Sequence, residues 1–139
     1  MATHIWPIPQ MQLKPPSGSN DGWELIEDVP FIGGETLEFV PVLQEGDGDV
    51  IKGKILWVKE REVAAGLKHL ECLRGMVTKI PRELDDKYLL ALGTVGRGPS
   101  GCWVVPCLSP RRGKKRTLFF CYYLGHNFNR NSVSVRLRK

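Results

Sequence analysis

The sequence predicts an α+β domain, a mostly antiparallel sheet with one main helix. Short segments with strand-type patterning flank one longer stretch with helical spacing, in the order β-β-β-α-β-β-β-β. The chain has 139 residues, 42% of them hydrophobic and 25% charged, which fits one ordinary globular domain with a sizeable core. No apolar run approaches the length that crosses a bilayer.

Residues 1–20 contain Pro7, Pro9, Pro15 and Pro16 followed by Ser17-Gly18-Ser19-Asn20, the composition of an extended or disordered N-terminal arm. The domain proper is expected over 21–139. Its first strand is expected over 23–29, closed by Pro30 and the Gly33-Gly34 pair. A second over 36–43 places Leu37 and Phe39 on one face, and Pro41 marks it as an edge strand. The acidic loop Glu45-Gly46-Asp47-Gly48-Asp49 leads to a third strand, expected over 50–58.

The helix is expected from about Glu60 to Arg74, where Val63, Leu67, Leu70 and Leu73 form one apolar stripe. Gly75 stands where a left-handed residue would stop it, and Ile80-Pro81 forces an extended break. His69 lies beside the stripe, a surface or boundary position. The segments 87–95 and 117–124 are apolar on both faces, as central strands are, and 102–108 is expected between them. The closing strand over 132–138 alternates Val133, Val135 and Leu137 with Ser134, Arg136 and Arg138, giving one buried and one polar outer face.

Charge is divided unevenly. Residues 1–70 carry 6 basic and 11 acidic side chains, and residues 71–139 carry 14 and 4, so a net −5 precedes a net +10. The dense basic run Arg111-Arg112-Gly113-Lys114-Lys115-Arg116 offers nucleic acid a set of phosphate contacts. The alternative reading is a soluble hairpin tip whose charges keep the strand edges from aggregating.

No signature of catalysis is legible. Cys102, Cys107, Cys121 and His126 form C-x4-C-x13-C-x4-H, a set of zinc-ligand types. Five positions along a strand reverse the face, however, so Cys102 and Cys107 are expected on opposite sides and the cysteines as reduced, mostly buried residues. Glu45, Asp47 and Asp49 lack the downstream Glu of a calcium loop. None of the three histidines has a partner identifiable from spacing. The expectation is a non-enzymatic protein with no metal and no cofactor. No basic stretch followed by an apolar one opens the sequence, so a cytoplasmic location is expected by default, with surface or virion display as the alternative.

A resemblance spans residues 58–139. The helix is followed by Ile80-Pro81-Arg82-Glu83-Leu84 and by Tyr88-Leu89-Leu90-Ala91-Leu92-Gly93-Thr94-Val95. Trp103-Val104-Val105-Pro106-Cys107-Leu108 comes next. An aromatic run then leads to Asn127-Phe128-Asn129-Arg130-Asn131 and Val133-Ser134-Val135-Arg136-Leu137-Arg138-Lys139. In these features the chain resembles the C-type lectin-like variable proteins associated with diversity-generating retroelements of bacteria, archaea and phages. The resemblance implies a compact C-type lectin-like fold whose segment before the closing strand, near 118–132, is diversified by adenine-specific mutagenesis.

Asparagine codons are the usual targets of that process. The implied variable, ligand-binding positions are Tyr122, Tyr123, His126, Asn127, Phe128, Asn129, Arg130, Asn131 and Ser132. Trp103, Arg111 and Arg112 are implied as flanking contacts, and the implied ligand is a protein or surface ligand. Side chains of these types suit recognition, since they join contact area to adaptable hydrogen bonding. One of Tyr122 and Tyr123 is expected in the core. Gly96 departs from the aromatic that usually follows Gly-Thr-Val in this family. The calcium motifs and disulfides of sugar-binding animal lectins are not visible, so calcium-dependent sugar binding does not carry over.

Overall fold

The structure is a computed structural model that describes residues 4–7, 24–32, 35–43, 48–97, 102–122 and 127–138. It is α+β, with a curled, mostly antiparallel sheet and two α-helices. The strands are β1 (His4–Pro7), β2 (Glu24–Glu27), β3 (Thr36–Pro41), β4 (Ile51–Lys52), β5 (Tyr88–Leu90), β6 (Val95–Arg97), β7 (Trp103–Leu108), β8 (Leu118–Tyr122), β9 (Asn127–Phe128) and β10 (Ser132–Arg138). The helices are α1 (Gly53–Glu60) and α2 (Leu67–Arg74).

The main sheet runs β1-β3-β10-β5-β7, and β7 then takes β8 on one side and β6 with β2 on the other path. The β10–β5 pair is parallel and the other pairs are antiparallel. Of the expected arm, His4–Pro7 pairs with β3, placing Trp6 opposite Leu37; the rest of 1–20 lies outside the described residues. Pro41 therefore does not mark an edge strand. β3 lies between β1 and β10, and Pro41 falls past the stretch that β1 covers.

Both faces of the sheet are buried. Leu37, Phe39, Leu89, Leu108, Val133 and Val135 pack with Leu70, Cys72 and Leu73 of α2 on one face. Leu90, Val105, Cys107 and Phe128 gather on the other with Leu56 of α1. Period-2 alternation along β5 and β10 divides these two cores.

The third expected strand is a correction. Residues 51–52 form β4, but 53–60 coil into α1, because Leu56 and Glu60, four apart and on one face, dock together onto the sheet. The one long helix is also corrected. α2 begins only at Leu67, because Val63–Ala65 is claimed by β10: the Ala65 amide donates to the Val135 carbonyl at 2.8 Å and the Leu137 amide to that of Val63 at 2.8 Å.

Gly75 has φ −77°, a right-handed exit into the 3-10 turn Val77–Lys79, not the left-handed stop. The expected strand over 87–95 divides into β5 and β6 around a turn at Gly93. There a Cβ would collide with Val29 Cγ2 and lie 2.8 Å from the Ala64 and Ala65 carbonyl oxygens, so only glycine fits. Thr94 beside it caps α2: its hydroxyl accepts from the Leu67 amide at 2.8 Å and donates to Asp28 Oδ1 at 2.6 Å. The Gly-Thr-Val element is thus a splice that joins β2, the 64–66 segment and the start of α2.

The polar face of β10 is buried at Ser134 and half-buried at Arg136. Ser134 Oγ donates to Glu60 Oε1 at 2.8 Å, Arg136 Nε donates to the same oxygen at 2.7 Å, and Arg136 Nη2 donates to Oε2 at 2.6 Å. Ser134 and Glu60 are 1% and 2% exposed, so α1 covers what the sequence pattern assigns to solvent. The two-pronged Glu60–Arg136 fork satisfies both carboxylate oxygens, which is what makes a buried charge tolerable. It also raises the Arg136 guanidinium above its ordinary value.

Candidate functional site

The Asn-rich segment 127–131 lies over the second face of the sheet. β9 pairs with β4, with Asn127 opposite Lys52 and Phe128 opposite Ile51. A tight turn comes next, in which the Asn131 amide donates to Asn129 Oδ1 at 2.9 Å and the Ser132 amide to the Asn129 carbonyl at 3.1 Å. The Tyr88 amide then donates to the Asn131 carbonyl at 2.7 Å and fixes the turn to β5.

Between this segment and the sheet is a cavity of about 430 Å³. Its floor is Leu90, Cys107 and Phe119, one residue from each of three adjacent strands, with Phe128 beside them. Tyr88 and Ser132, opposite each other in the β5–β10 register, form a wall. Asn127, Asn129 and Asn131 form the exposed rim. Tyr88 meets Phe119 edge-on, the ring centroids 6.2 Å apart and the planes at 78°. None of these lining residues carries a charge at neutral pH.

The segment expected to bind is therefore brought together in part. Asn127, Phe128, Asn129, Asn131 and Ser132 converge on the cavity. Phe128 and Ser132 are only 4% and 5% exposed, so they belong to its lining and are not openly displayed, Phe128 being part of the second core. Arg130 stands outside the cavity, its guanidinium 3.6 Å from Asp49, both well exposed. Tyr122 ends β8 opposite Val104. Tyr123 and His126 lie outside the described residues, as does the question of which tyrosine is core.

Trp103 packs half-buried against the second core and does not line the cavity. The floor and wall residues Tyr88, Leu90, Cys107 and Phe119 were missed because only strand register unites them. The signal present in the sequence is the two-sided apolarity of their segments.

The basic run closes on itself. Arg112 bridges to Lys115 around Gly113, whose φ of +62° suits glycine. Arg111 is tied down by Nε donating to the Gly113 carbonyl at 2.6 Å and by its amide donating to the Asp85 carbonyl at 2.7 Å. Arg116 is 3% exposed. Its guanidinium donates to the carbonyls of Lys87 at 2.8 Å, Ser109 at 3.0 Å and Leu84 at 2.5 Å. Burial lowers its tendency to hold the proton, and Asp85 opposes that. Arg112, Lys114 and Lys115 are left as the exposed cations of the run.

A cluster around α2 holds a histidine, a carboxylate and a thiol. His69 is fully buried, correcting its expected surface or boundary position, because Glu35 reaches it from across the fold. Its Nδ1 accepts from the Gly66 amide at 3.0 Å, so Nε2 carries the proton and donates to Glu35 Oε2 at 2.8 Å. Both ring nitrogens are committed, and neither is free to take a proton from Cys72. Burial and then Glu35 push that thiol up, away from the reactive thiolate.

Of the cysteines and histidine weighed as zinc-ligand types, Cys102 is exposed and Cys107 buried in the cavity floor; the Cys121 side chain and His126 lie outside the described residues. Among the described residues no three or more His, Cys, Asp or Glu converge as a metal-holding group, and no helix is long and apolar enough to cross a membrane. Comparison of the chain with family models, with curated proteins and with solved structures gives no match.

Proposed function

We propose that this protein is a non-enzymatic, receptor-type binding protein of C-type lectin-like form, whose recognition surface near 118–132 is diversified by a retroelement. The observation that carries the reading is the convergence of Asn127, Asn129 and Asn131 on the rim of one cavity. Three codons of the type that adenine-directed mutagenesis targets thus share one exposed edge, while the backbone beneath them is held by β4, β5 and β10. Such a division, with variable side chains on a fixed frame, is what a diversified binder needs.

The test is the sequence of the DNA around the gene. A near-copy of codons 117–139 differing mainly at adenines, beside a reverse-transcriptase gene, is the expected result. An intact locus with neither removes the retroelement from the proposal.

A second reading, nucleic-acid binding through the basic hairpin, draws on the exposure of Arg112, Lys114 and Lys115. Arg111 and Arg116 do not add to it, since the fold already employs both.

A further inference from the structure

The cavity has a chemical character of its own. Its floor offers two aromatic rings, Phe119 and Phe128, with the soft, polarizable Cys107 sulfur and Leu90 between strands. Its rim offers amides, each with donors and an acceptor. The lining residues supply no charge to meet an ionic ligand, and a cavity of about 430 Å³ has room for one ring with its substituents. A polyanion or a lone carboxylate would lose hydration here without gaining a countercharge.

Given the binding-protein reading of this site, on which the inference rests, we propose that the pocket takes an uncharged aromatic ring bearing a hydrogen-bonding edge. The ring sits against Phe119 and Phe128, and its polar edge meets the amides of Asn127 and Asn131. A tyrosine side chain of a partner protein and a free phenolic compound share this chemistry.

The test is a titration of the full, isotope-labelled chain read by NMR, at the Phe119 amide and the side-chain amides of Asn127, Asn129 and Asn131. N-acetyl-tyrosinamide is expected to give saturable shifts at these groups. N-acetyl-leucinamide, which lacks the ring, and 4-hydroxybenzoate, which adds a charge, should each bind about tenfold more weakly. Phe119→Leu should weaken the tyrosinamide by about the same factor. Phe120→Leu, next along β8 and outside the cavity, should leave it unchanged, and Asn131→Ala tests the exposed rim without touching the core.

Absence of saturable shifts, equal binding of the leucine compound or of the benzoate, or indifference to both Phe119→Leu and Asn131→Ala would overturn the proposal. p-Cresol and a Gly-Ser-Tyr-Ser-Gly peptide distinguish the sources: equal binding assigns the site to a free ring, and tighter peptide binding to a protein side chain. An adenine-variant repeat at the locus together with no ring binding would sink this inference alone. Ring binding without the repeat would sink only the retroelement.

Discussion

The basic hairpin of residues 109–117 and the Asn segment of residues 127–131 are both short, polar and rich in hydrogen-bonding side chains. They use those side chains in opposite directions. The hairpin turns its chemistry inward: Arg116 is spent on three backbone carbonyls and Arg111 on Gly113 and Asp85. The Asn segment is fixed by its backbone and by Asn129 Oδ1 alone among its amides, and it leaves the side chains of Asn127 and Asn131 at a cavity mouth. Richness in functional groups is therefore a poor guide to availability. What decides is whether the main chain nearby is already satisfied without them.

The comparison breaks first where each segment is anchored. Glu60→Ala removes the acceptor of Arg136 and Ser134 beneath the strand that carries the Asn segment, leaving a half-buried guanidinium without its partner. A loss of about 3–5 kcal/mol is expected in chemical denaturation. Arg116→Ala removes the side-chain donor from the carbonyls of Lys87 and Ser109, while that of Leu84 keeps the Lys87 amide, and about 2–3 kcal/mol is expected. Arg116→Lys should recover little of it, since a single ammonium does not reproduce the planar fork. If Arg116→Ala proves as mild as Lys114→Ala, the hairpin is a solvated loop and the contrast with the Asn segment disappears.

Within the Asn segment the three asparagines should differ. Asn129 holds the turn through its side-chain oxygen, so Asn129→Ala is expected to cost about 1 kcal/mol. Asn127→Ala and Asn131→Ala change exposed groups and should stay within about 0.5 kcal/mol. Thermal melts of the three variants make the check. Equal, large losses would make the segment a piece of structure and not a surface on which change is tolerated.

How much of this was legible depends on where each signal is stored. The closing strand was readable to both ends because alternation over seven residues is a local pattern, and the strands of 36–41 and 103–108 were nearly so. α1 was not readable, since Gly53–Glu60 is set by the pairing of Glu60 with Arg136, seventy-six positions away. The start of α2 was misplaced for the same reason, its upstream residues having been taken by β10.

In the candidate site the Asn rim was visible as composition. The floor was invisible, because the row Leu90–Cys107–Phe119 exists only after three strands find their register.

The hairpin's remaining cations permit a sharper test. With only Arg112, Lys114 and Lys115 exposed, any nucleic-acid binding through this loop should lose affinity with salt at a log–log slope of no more than about −3 on duplex DNA. A steeper slope would mean that Arg111 or Arg116 leaves its internal partners on binding, and the inward use of the hairpin would be conditional. No binding at low salt would leave the loop a structural device.

The smallest effect concerns a second buried ionisable group that, like Arg116 at its Nε, is incompletely bonded among the described residues. Glu71 of α2 is nearly buried, and among the described residues its Oε2 has no hydrogen-bond partner. Burial pushes its carboxyl up, while Arg74 and Lys68 pull the other way. The folded chain thus holds this proton to a higher pH than the unfolded chain does, so the ionised group disfavours folding at neutral pH. That penalty is relieved as pH falls through the folded value. Glu71→Gln should accordingly raise stability at pH 7, by about 1 kcal/mol or less, and the gain over the parent chain should vanish in acid. A variant that is less stable at pH 7 would mean that Arg74 and Lys68 outweigh burial, so that in this fold an incompletely bonded charge can still be an anchor.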